Sequence, residues 1–295
     1  MTSCGFVALV GAPNAGKSTL LNRMVGAKLS IVSPKAQTTR MRVLGIVMYK
    51  QSQILLIDTP GIFKPKRKLD EAMVSAAWSG VTDADITLFI VDAQVGLNEE
   101  NLVIINRLKE ISGPLWIILN KVDKVNREKL LPLTASLNQL LSAEKTMMVS
   151  AKQGDGIEDL LKELSYRLPQ GPWLYPDDDL TNLPDRLLAA ELVREQIFLL
   201  THEEIPYSVT VETDSFKEKL DGSIRVDATI YVLRANHKAI IIGEKGSKIR
   251  SIGERARKEL SRLLEKPCHL FLTVKEKKGW DEENARIRAL GLSNL

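Results

Sequence analysis

Apolar runs of strand length alternate with amphipathic stretches from Phe6 to about Leu168. The strand-like runs are FVALV (6–10), RVLGIVMYK (42–50), QILLIDT (53–59), ITLFIVDA (86–93), LWIILNKV (115–122) and TMMVSA (146–151). Helical periodicity falls between them, at 17–25, 68–80, 98–111, 127–142 and 156–167. This alternation predicts an α/β domain with a mostly parallel sheet and helices on both faces. Such sheets bind ligands at the carboxyl ends of their strands.

The pattern breaks at residues 168–184, which contain four prolines and an acidic cluster. No regular element tolerates this composition, so the segment marks a domain boundary. Beyond it the pattern predicts, in order, a helix (about 185–203), two strands (207–216 and 223–233), a glycine-flanked helix pair ending near 264, a strand (268–274) and a short helix. The order α-β-β-α-α-β predicts a small α+β domain. We expect domains at 1–168 and 185–295, joined by a linker at 169–184.

Composition adds few constraints. The 295 residues are 44% hydrophobic and 26% charged, which is typical of globular protein. The apolar runs are of strand length, far short of the roughly 20 residues that a membrane span requires. The first strand-like run begins close to the N-terminus, so we expect no signal or transit peptide. Two cysteines and three isolated histidines form no metal-binding spacing, which argues against a disulfide scaffold or a zinc site.

The sequence GAPNAGKS (11–18) follows the first strand-like run and opens a helix. It matches G-x-x-x-x-G-K-[ST], a loop whose backbone N–H groups point at phosphate oxygens beside a favourable helix N-terminus. Lys17 can reach the β- and γ-phosphates, and the Ser18 hydroxyl can bind Mg²⁺. The candidate phosphate-binding residues are Gly11, Ala12, Pro13, Asn14, Ala15, Gly16, Lys17, Ser18 and Thr19.

Three further motifs, DTPG (58–61), NKVD (120–123) and SAK (150–152), each follow a strand-like run. Asp58 can hold the Mg²⁺ shell, and the Gly61 N–H can meet a γ-phosphate. Asp123 can accept both Watson–Crick-edge donors of guanine, whereas adenine would leave this carboxylate badly paired. Asn120 can meet the other edge of the base, and Lys121 can lie along its face. The motifs together predict GTP and GDP as ligands, held by Asp58, Thr59, Pro60, Gly61, Asn120, Lys121, Asp123, Ser150, Ala151 and Lys152.

In these motifs the chain resembles the translation-factor-like class of small GTPases, and within it the Era GTPase family of bacteria and organelles. The match extends over nearly the whole chain and implies an enzyme that converts GTP to GDP and phosphate. The segment KAQTTRMRVLGI (35–46) resembles the first switch of that family. The resemblance implies that Thr39 reaches Mg²⁺ when GTP is bound, with Thr38 as the neighbouring candidate.

Ile62 follows the DTPG motif, where Ras-like enzymes carry a glutamine that orients the attacking water. An aliphatic side chain cannot orient water, so we expect hydrolysis that is slow, or stimulated by K⁺, by RNA or by both. The resemblance suggests Asn14 as a K⁺ ligand, because a P-loop asparagine in related GTPases helps bind this ion. A bound K⁺ can offset the charge that develops between the phosphates. The candidate catalytic residues are Lys17, Asn14, Thr39 and Gly61; the candidate Mg²⁺ ligands are Ser18, Thr39 and Asp58; Asn14 is the candidate K⁺ ligand.

The sequence IGEKGSKI (242–249) in the second domain fits the I-G-x-x-G-x-x-I pattern of KH RNA-binding domains. A GXXG turn between two helices lets an RNA backbone approach main-chain N–H groups. Two strands before the turn and one strand after its helix resemble the type II arrangement. Residues 234–262 around the turn include nine basic and three acidic residues. The candidate RNA-binding residues are Ile242, Gly243, Glu244, Lys245, Gly246, Lys248, Ile249 and Arg250.

In the Era family the KH domain recognises the 3′ end of small-subunit (16S) ribosomal RNA, and the protein assists assembly and maturation of the 30S subunit. The resemblance therefore implies a cytoplasmic, monomeric protein that binds rRNA in one nucleotide state and releases it after hydrolysis. Members often associate with the inner membrane surface, so peripheral association is a further expectation. The sequence itself shows neither an anchor nor an amphipathic helix with a strongly basic face.

Two other interpretations stay open on the residues. A GTPase of the related tRNA-modification type would need a folate-binding region and usually a reactive C-terminal cysteine, whereas Cys268 begins a predicted strand. A passive RNA-binding module with a vestigial nucleotide site would not need the complete set of motif residues. Measurable GTP turnover would exclude the passive module.

Overall fold

The structure is a computed structural model that describes residues 1–35, 37–202 and 204–292. The chain packs into two compact units. One consists of Met1–Ser30, Thr39–Asn182 and Ile287–Leu295, and the other of Ile31–Thr38 and Leu183–Arg286. Position 36 of the predicted first switch, position 203 of the predicted helix and positions 293–295 of the predicted second domain lie outside the described residues.

The first unit is built on a six-stranded sheet with strand order β2-β3-β1-β4-β5-β6. Its strands are β1 (Ser3–Val10), β2 (Val43–Tyr49), β3 (Ser52–Asp58), β4 (Ile86–Asp92), β5 (Leu115–Asn120) and β6 (Lys145–Met148). Its helices are α1 (Lys17–Val25), α2 (Lys68–Thr82), α3 (Glu99–Leu108), α4 (Arg127–Leu140) and α5 (Ile157–Arg167). Only the β2–β3 pair in this sheet is antiparallel, so the predicted mostly parallel sheet is confirmed.

The central strands are apolar on both faces because both faces are covered. Consecutive residues Leu55, Leu56 and Ile57 of β3 are fully buried, and so are Ile117 and Ile118 of β5. Continuous apolar runs of this kind are what the sequence shows at the predicted strands. The polar residues that follow the runs are left at the carboxyl edge of the sheet.

Two strands end at least two residues before the apolar pattern predicts. β5 stops at Asn120, because Lys121 takes a left-handed conformation with φ 63° that ends the extended chain. β6 stops at Met148, so the SAK motif lies beyond it in a loop. Both shortened ends turn motif residues away from the sheet and towards the site.

The predicted linker at 169–184 contains no helix or strand, yet most of it packs on the first unit. Cys4 N donates to Pro169 O at 3.1 Å, and Ile46 N donates to Leu180 O at 2.9 Å. The side chain of Gln53 accepts from two backbone N–H groups of the segment and donates to Tyr175 O. The backbone of the segment is thus tied to β1, β2 and β3, and the first unit extends to Asn182.

The second unit contains a three-stranded sheet of order β7-β8-β9, with β7 antiparallel and β9 parallel to β8. The remaining elements of the chain are α6 (Asp185–Leu200), β7 (Val209–Glu218), β8 (Ile224–Val232), α7 (Ala235–Ile242), α8 (Ser247–Leu263), β9 (Cys268–Glu276) and α9 (Asn284–Ala289). Apolar residues of α6, α8 and the sheet, such as Val193, Ile230 and Ile252, form its core. The predicted α-β-β-α-α-β order is confirmed. No helix in the described part of the chain has the length and apolar character that crossing a membrane requires.

Candidate functional site

The loop between β1 and α1 closes tightly around Lys17. Gly16 has φ 99°, and a Cβ there would lie 2.2 Å from Asn120 Nδ2, so only glycine fits. The Lys17 amine donates to the carbonyls of Gly11 and Ala12, each at 3.0 Å, and its side chain is buried. Burial lowers the pKa of Lys17 to about 8, against the opposing effect of the Asp58 charge. The amine therefore spans the loop at the position where phosphate oxygens would bind.

The three predicted Mg²⁺ ligands lie together. Ser18 Oγ donates to Asp58 Oδ2 at 2.7 Å and lies 2.8 Å from Thr39 Oγ1. Asp58 is fully buried, and among the described residues its Oδ1 has no hydrogen-bond partner. Burial raises the pKa of Asp58, opposed by the hydrogen bond from Ser18 and the charge of Lys17. A buried carboxylate oxygen without a donor, beside two hydroxyls, fits a hard cation with oxygen ligands such as Mg²⁺.

The DTPG segment approaches the phosphate loop closely. A Cβ on Gly61 would lie 3.0 Å from both Cα and N of Pro13, so the backbone of the two loops is in contact. Thr59 is fully buried and donates to Leu9 O at 2.7 Å, which directs its side chain to β1 rather than to a ligand. Ile62 is 4% exposed and packs in the core. The side chain at position 62 is therefore turned away from the site.

Asn120 holds three of the motif loops together. Its Nδ2 donates to Ala15 O at 2.9 Å, and its Oδ1 accepts from Lys121 N at 2.8 Å and Ala151 N at 3.0 Å. The side chain is 1% exposed. Asn120 thus ties the phosphate loop, NKVD and SAK into one body, and the base contact that the sequence suggested for it stays a prediction.

Neighbouring residues hold in place the side chains that are predicted to recognise the base. Ser150 Oγ donates to Asp123 Oδ1 at 2.7 Å, which orients this exposed carboxylate. The Lys121 amine donates to Asn14 O and to Asp92 Oδ2, both at 2.6 Å. Asn14 is exposed and takes a left-handed φ of 62°. An ion pair and a phosphate-loop carbonyl thus fix the lysine that was predicted to lie along the base.

Two further residues hold parts of the site in place and were not predicted from the sequence. Asp92 ends β4 beside β5, and this position at the carboxyl edge of the sheet could have identified it. Arg23 donates from Nε to Ala151 O at 3.0 Å and from Nη2 to Lys152 O, and so holds the SAK loop against α1. No local motif marks Arg23, because its partners lie far away in sequence.

The GXXG turn joins α7 to α8 and has a glycine, without a side chain, at each end. Gly243 and Gly246 have φ of 71° and 78°, and Lys245 between them is also left-handed with φ 49°. A Cβ on Gly243 would lie 2.7 Å from Lys248 Cβ, whereas, apart from the adjoining backbone, no atom of the described residues lies within 4 Å of a Cβ on Gly246. The space beside Gly246 is therefore open for a ligand backbone.

The other predicted RNA-binding residues divide into two sets. Ile242 and Ile249 are half-buried and pack against the core of the second unit, so they shape the turn. Glu244, Lys245 and Arg250 are exposed, and Lys248 is half-buried. Further exposed basic residues continue along α8: Arg255, Arg257, Lys258 and Arg262. The turn is thus bordered by exposed positive charge.

Comparison with known proteins decides the family. Two family models match, a 50S ribosome-binding GTPase over residues 6–121 and a KH domain over residues 204–281. A GTPase Era of Mesorhizobium japonicum is 52% identical over 291 residues, which cover 99% of this chain and 94% of the relative. The chain belongs to the GTPase Era family. A GTPase Era of Sinorhizobium medicae is 50% identical over the same shares of the two chains.

Solved structures of Era proteins have the same fold. Era in complex with MgGDPNP and nucleotides 1506–1542 of 16S ribosomal RNA is 39% identical, with a TM-score of 0.95 and full coverage of both chains. Era of Aquifex aeolicus bound to GDP·AlF₄⁻ is also 39% identical, with a TM-score of 0.94, covering 99% of this chain and all of that one. The predictions of the Era family, of a GTPase domain followed by a KH domain and of GTPase activity are confirmed.

Proposed function

We propose that this Era-family GTPase binds Mg²⁺ with GTP or GDP, grips the 3′ end of 16S rRNA through its KH turn, and assists assembly of the 30S subunit. The open space beside Gly246 in the GXXG turn, in the same chain as the clustered guanine-nucleotide motifs, is the observation that carries this proposal. The similar Era structure that contains MgGDPNP and 16S rRNA nucleotides supports it. RNA is held in one nucleotide state and released after hydrolysis.

The nucleotide site works through charge and backbone donors. Lys17 neutralises the β- and γ-phosphates, while Ser18, Thr39 and Asp58 hold Mg²⁺, which shields phosphate charge. The Gly61 N–H meets the γ-phosphate. Guanine is selected by Asp123, which Ser150 orients at 2.7 Å. A site built to pair donors of guanine rejects bases that leave its carboxylate unpaired.

Hydrolysis lacks a side chain at position 62 that could orient water, because Ile62 is packed in the core. Hydrolysis must therefore be slow or be assisted by another group. Asn14 helps bind K⁺ beside the phosphates in this proposal, and RNA is a second candidate stimulator. The exposed position of Asn14 in the phosphate loop supports its role as a K⁺ ligand.

The boundaries that serve this function are a G domain at 1–168, a linker at 169–184 and a KH domain at 185–295. The turn residues Gly243 and Gly246 admit the RNA backbone, while Lys245, Lys248 and Arg250 supply positive charge. Glu244 is exposed beside them, and Ile242 and Ile249 support the turn. The protein acts as a monomer in the cytoplasm, where its rRNA partner is assembled, and associates peripherally with the membrane.

The test is competition binding with two RNA oligonucleotides of equal length, one copying the 3′ end of 16S rRNA and one scrambled. Salt is held constant, because phosphate contacts make RNA affinity strongly salt-dependent. The proposal predicts that only the 3′-end sequence competes well for the protein loaded with a GTP analogue. Equal competition by both oligonucleotides would leave a GTPase that binds RNA without recognising this sequence.

A further inference from the structure

A cavity of about 200 Å³ lies between the phosphate loop and the start of α3, within the first unit. Its walls are formed by residues 12–15 of the loop and by Asp92, Val95, Asn98, Glu100 and Asn101. Among the described residues that line it are neither Lys17, nor the predicted Mg²⁺ ligands, nor Asp123. The cavity therefore lies beside the nucleotide motifs and is separate from the side chains predicted to hold Mg²⁺ and guanine.

Asn101 brings a buried acceptor to the wall of this cavity. Its Nδ2 donates to Gly96 O at 2.6 Å, and its backbone N–H donates at 2.9 Å to Oδ1 of Asn98, the N-cap residue of α3. Asn101 is 2% exposed, and its Oδ1 has no hydrogen-bond partner in the part of the chain that the structure describes. A buried acceptor without a donor costs free energy, so a ligand that donates to it gains affinity.

The charged side chains that line the cavity are acidic. Asp92 accepts from Gln94 N at 2.9 Å through Oδ1 and from Lys121 Nζ at 2.6 Å through Oδ2, so its carboxylate is held in place. Glu100 is exposed in the first turn of α3, and its full charge exceeds the partial positive charge of the helix N-terminus, roughly half an elementary charge. No Lys, Arg or His is among the described residues of the lining. These acceptors fit a cation that carries N–H donors.

Apolar groups form the rest of the lining. Ala12, Pro13 and Ala15 contribute methyl and ring carbons from the phosphate loop, and Val95 is 54% exposed. A cavity of about 150 Å³ is known to hold benzene, so this one has room for a charged head with a short aliphatic chain. A hydrated metal ion would leave the apolar part of the lining without contacts.

We propose that this cavity binds a small organic cation, a guanidinium or primary ammonium group on a short aliphatic chain. The head group donates to Asn101 Oδ1 and is attracted by Asp92 and Glu100, while the chain lies against Val95 and the phosphate-loop alanines. This ligand is additional to GTP, Mg²⁺, K⁺ and RNA. Its cationic group comes either from a free small molecule or from an Arg or Lys side chain of another protein.

The test is a titration of the full-length protein with n-propylguanidinium, followed by NMR through the backbone amide shifts of Val95 and Asn101. GDP and Mg²⁺ are present throughout, so that the probe cannot occupy the nucleotide site. Tetramethylammonium chloride, whose cation has no N–H donors, keeps the ionic strength constant. A ligand this small should bind with a dissociation constant of about 1–10 mM. n-Propylurea has nearly the same shape but no charge, and it should bind at least about tenfold more weakly.

Three variants assign the binding to this cavity. Asn101→Leu removes the buried acceptor at similar side-chain size and should weaken binding at least about tenfold. Glu100→Gln removes an exposed charge and should weaken binding about twofold to threefold. Glu99→Gln is the matched control, because Glu99 is also exposed in the first turn of α3 but does not line the cavity, so the affinity should stay nearly unchanged. Glu100→Gln and n-propylurea involve no buried substitution, so they decide the question if Asn101→Leu does not fold.

An acetylated Gly-Arg-Gly amide, titrated in the same way, distinguishes the two sources of the cation. Tighter binding of this peptide than of n-propylguanidinium would assign the cavity to a side chain of a partner protein, and weaker binding would assign it to a free small cation. Unchanged amide shifts with n-propylguanidinium would overturn the proposal. Equal affinities for n-propylguanidinium and n-propylurea, or equal affinities of Glu99→Gln and Glu100→Gln, would overturn it as well.

Discussion

The variant Gly246→Asp should weaken RNA binding while the protein stays folded. Gly246 has φ +78°, and in the part of the chain that the structure describes only its own chain neighbours lie close to the position that a Cβ would occupy. Gly243 is a poorer choice, because its Cβ would lie 2.7 Å from Lys248 Cβ and the substitution would distort the turn itself. The cost of Gly246→Asp to the folded state is the left-handed backbone penalty of about 1–2 kcal/mol, which aspartate tolerates better than most residues.

The cost to RNA binding should be larger. A carboxylate at this position would stand beside the phosphates that approach the turn. Two like charges about 4 Å apart repel by ~4 kcal/mol at an effective dielectric constant of about 20. Salt reduces this repulsion, so we expect RNA affinity to fall at least about tenfold, which corresponds to ~1.4 kcal/mol.

Gly222→Asp is the control, since Gly222 lies between β7 and β8 with the same φ of +78° and no atom within 4 Å of a Cβ. The two variants should melt at similar temperatures, while fluorescence anisotropy of a labelled 3′-end oligonucleotide should show weak binding only for Gly246→Asp. Gly246→Asn, of similar size but uncharged, measures the share due to charge. Equal RNA affinities of Gly246→Asp and Gly222→Asp would refute the role of the turn.

Three further predictions concern the nucleotide site. The pKa of Lys17 near 8 in the free site predicts that GDP affinity falls roughly tenfold per pH unit above pH 8, because phosphate binding requires the protonated amine. Lys17→Met should bind GDP weakly, and its affinity should not fall with pH in this way. Calorimetric titrations in which the GDP affinities of both proteins fall equally with pH would contradict this role of Lys17. Asp123→Asn should lower GTP affinity about a hundredfold or more and improve xanthosine triphosphate binding, measured by competition; an unchanged preference would contradict guanine recognition by Asp123. GTP turnover should be faster in K⁺ than in Na⁺, and Asn14→Ala should remove the difference; equal rates in the unsubstituted protein would exclude a K⁺ role.

The sequence predicted the parts of the site that are local. GAPNAGKS, DTPG, NKVD and SAK each follow an apolar strand, and parallel strands place their carboxyl ends at one edge. Their convergence therefore follows from the alternating pattern, and the structure brings Ser18, Asp58, Asn120 and Ser150 to that edge. The GXXG turn could also be predicted from the sequence, because glycine at both ends of a helix junction permits backbone conformations that other residues rarely adopt.

The sequence did not predict contacts between distant segments. Nothing local indicates that Arg23 of α1 donates to the carbonyls of Ala151 and Lys152, since such partners are chosen by tertiary packing. The hydrogen bonds between residues 169–182 and the first sheet could not be predicted either, because they too depend on tertiary packing. The proline-rich composition correctly excluded helix and strand there, but it carries no information on which surface the segment covers.

The most direct test of the account is the affinity of a labelled 3′-end 16S rRNA oligonucleotide for the protein loaded with GDP or with a non-hydrolysable GTP analogue. GTP control of RNA binding predicts selective binding that differs between the two states, with the reciprocal change in nucleotide affinity when RNA is added. Equal affinities in both states, with no effect of RNA on nucleotide binding, would contradict GTP control of the RNA grip.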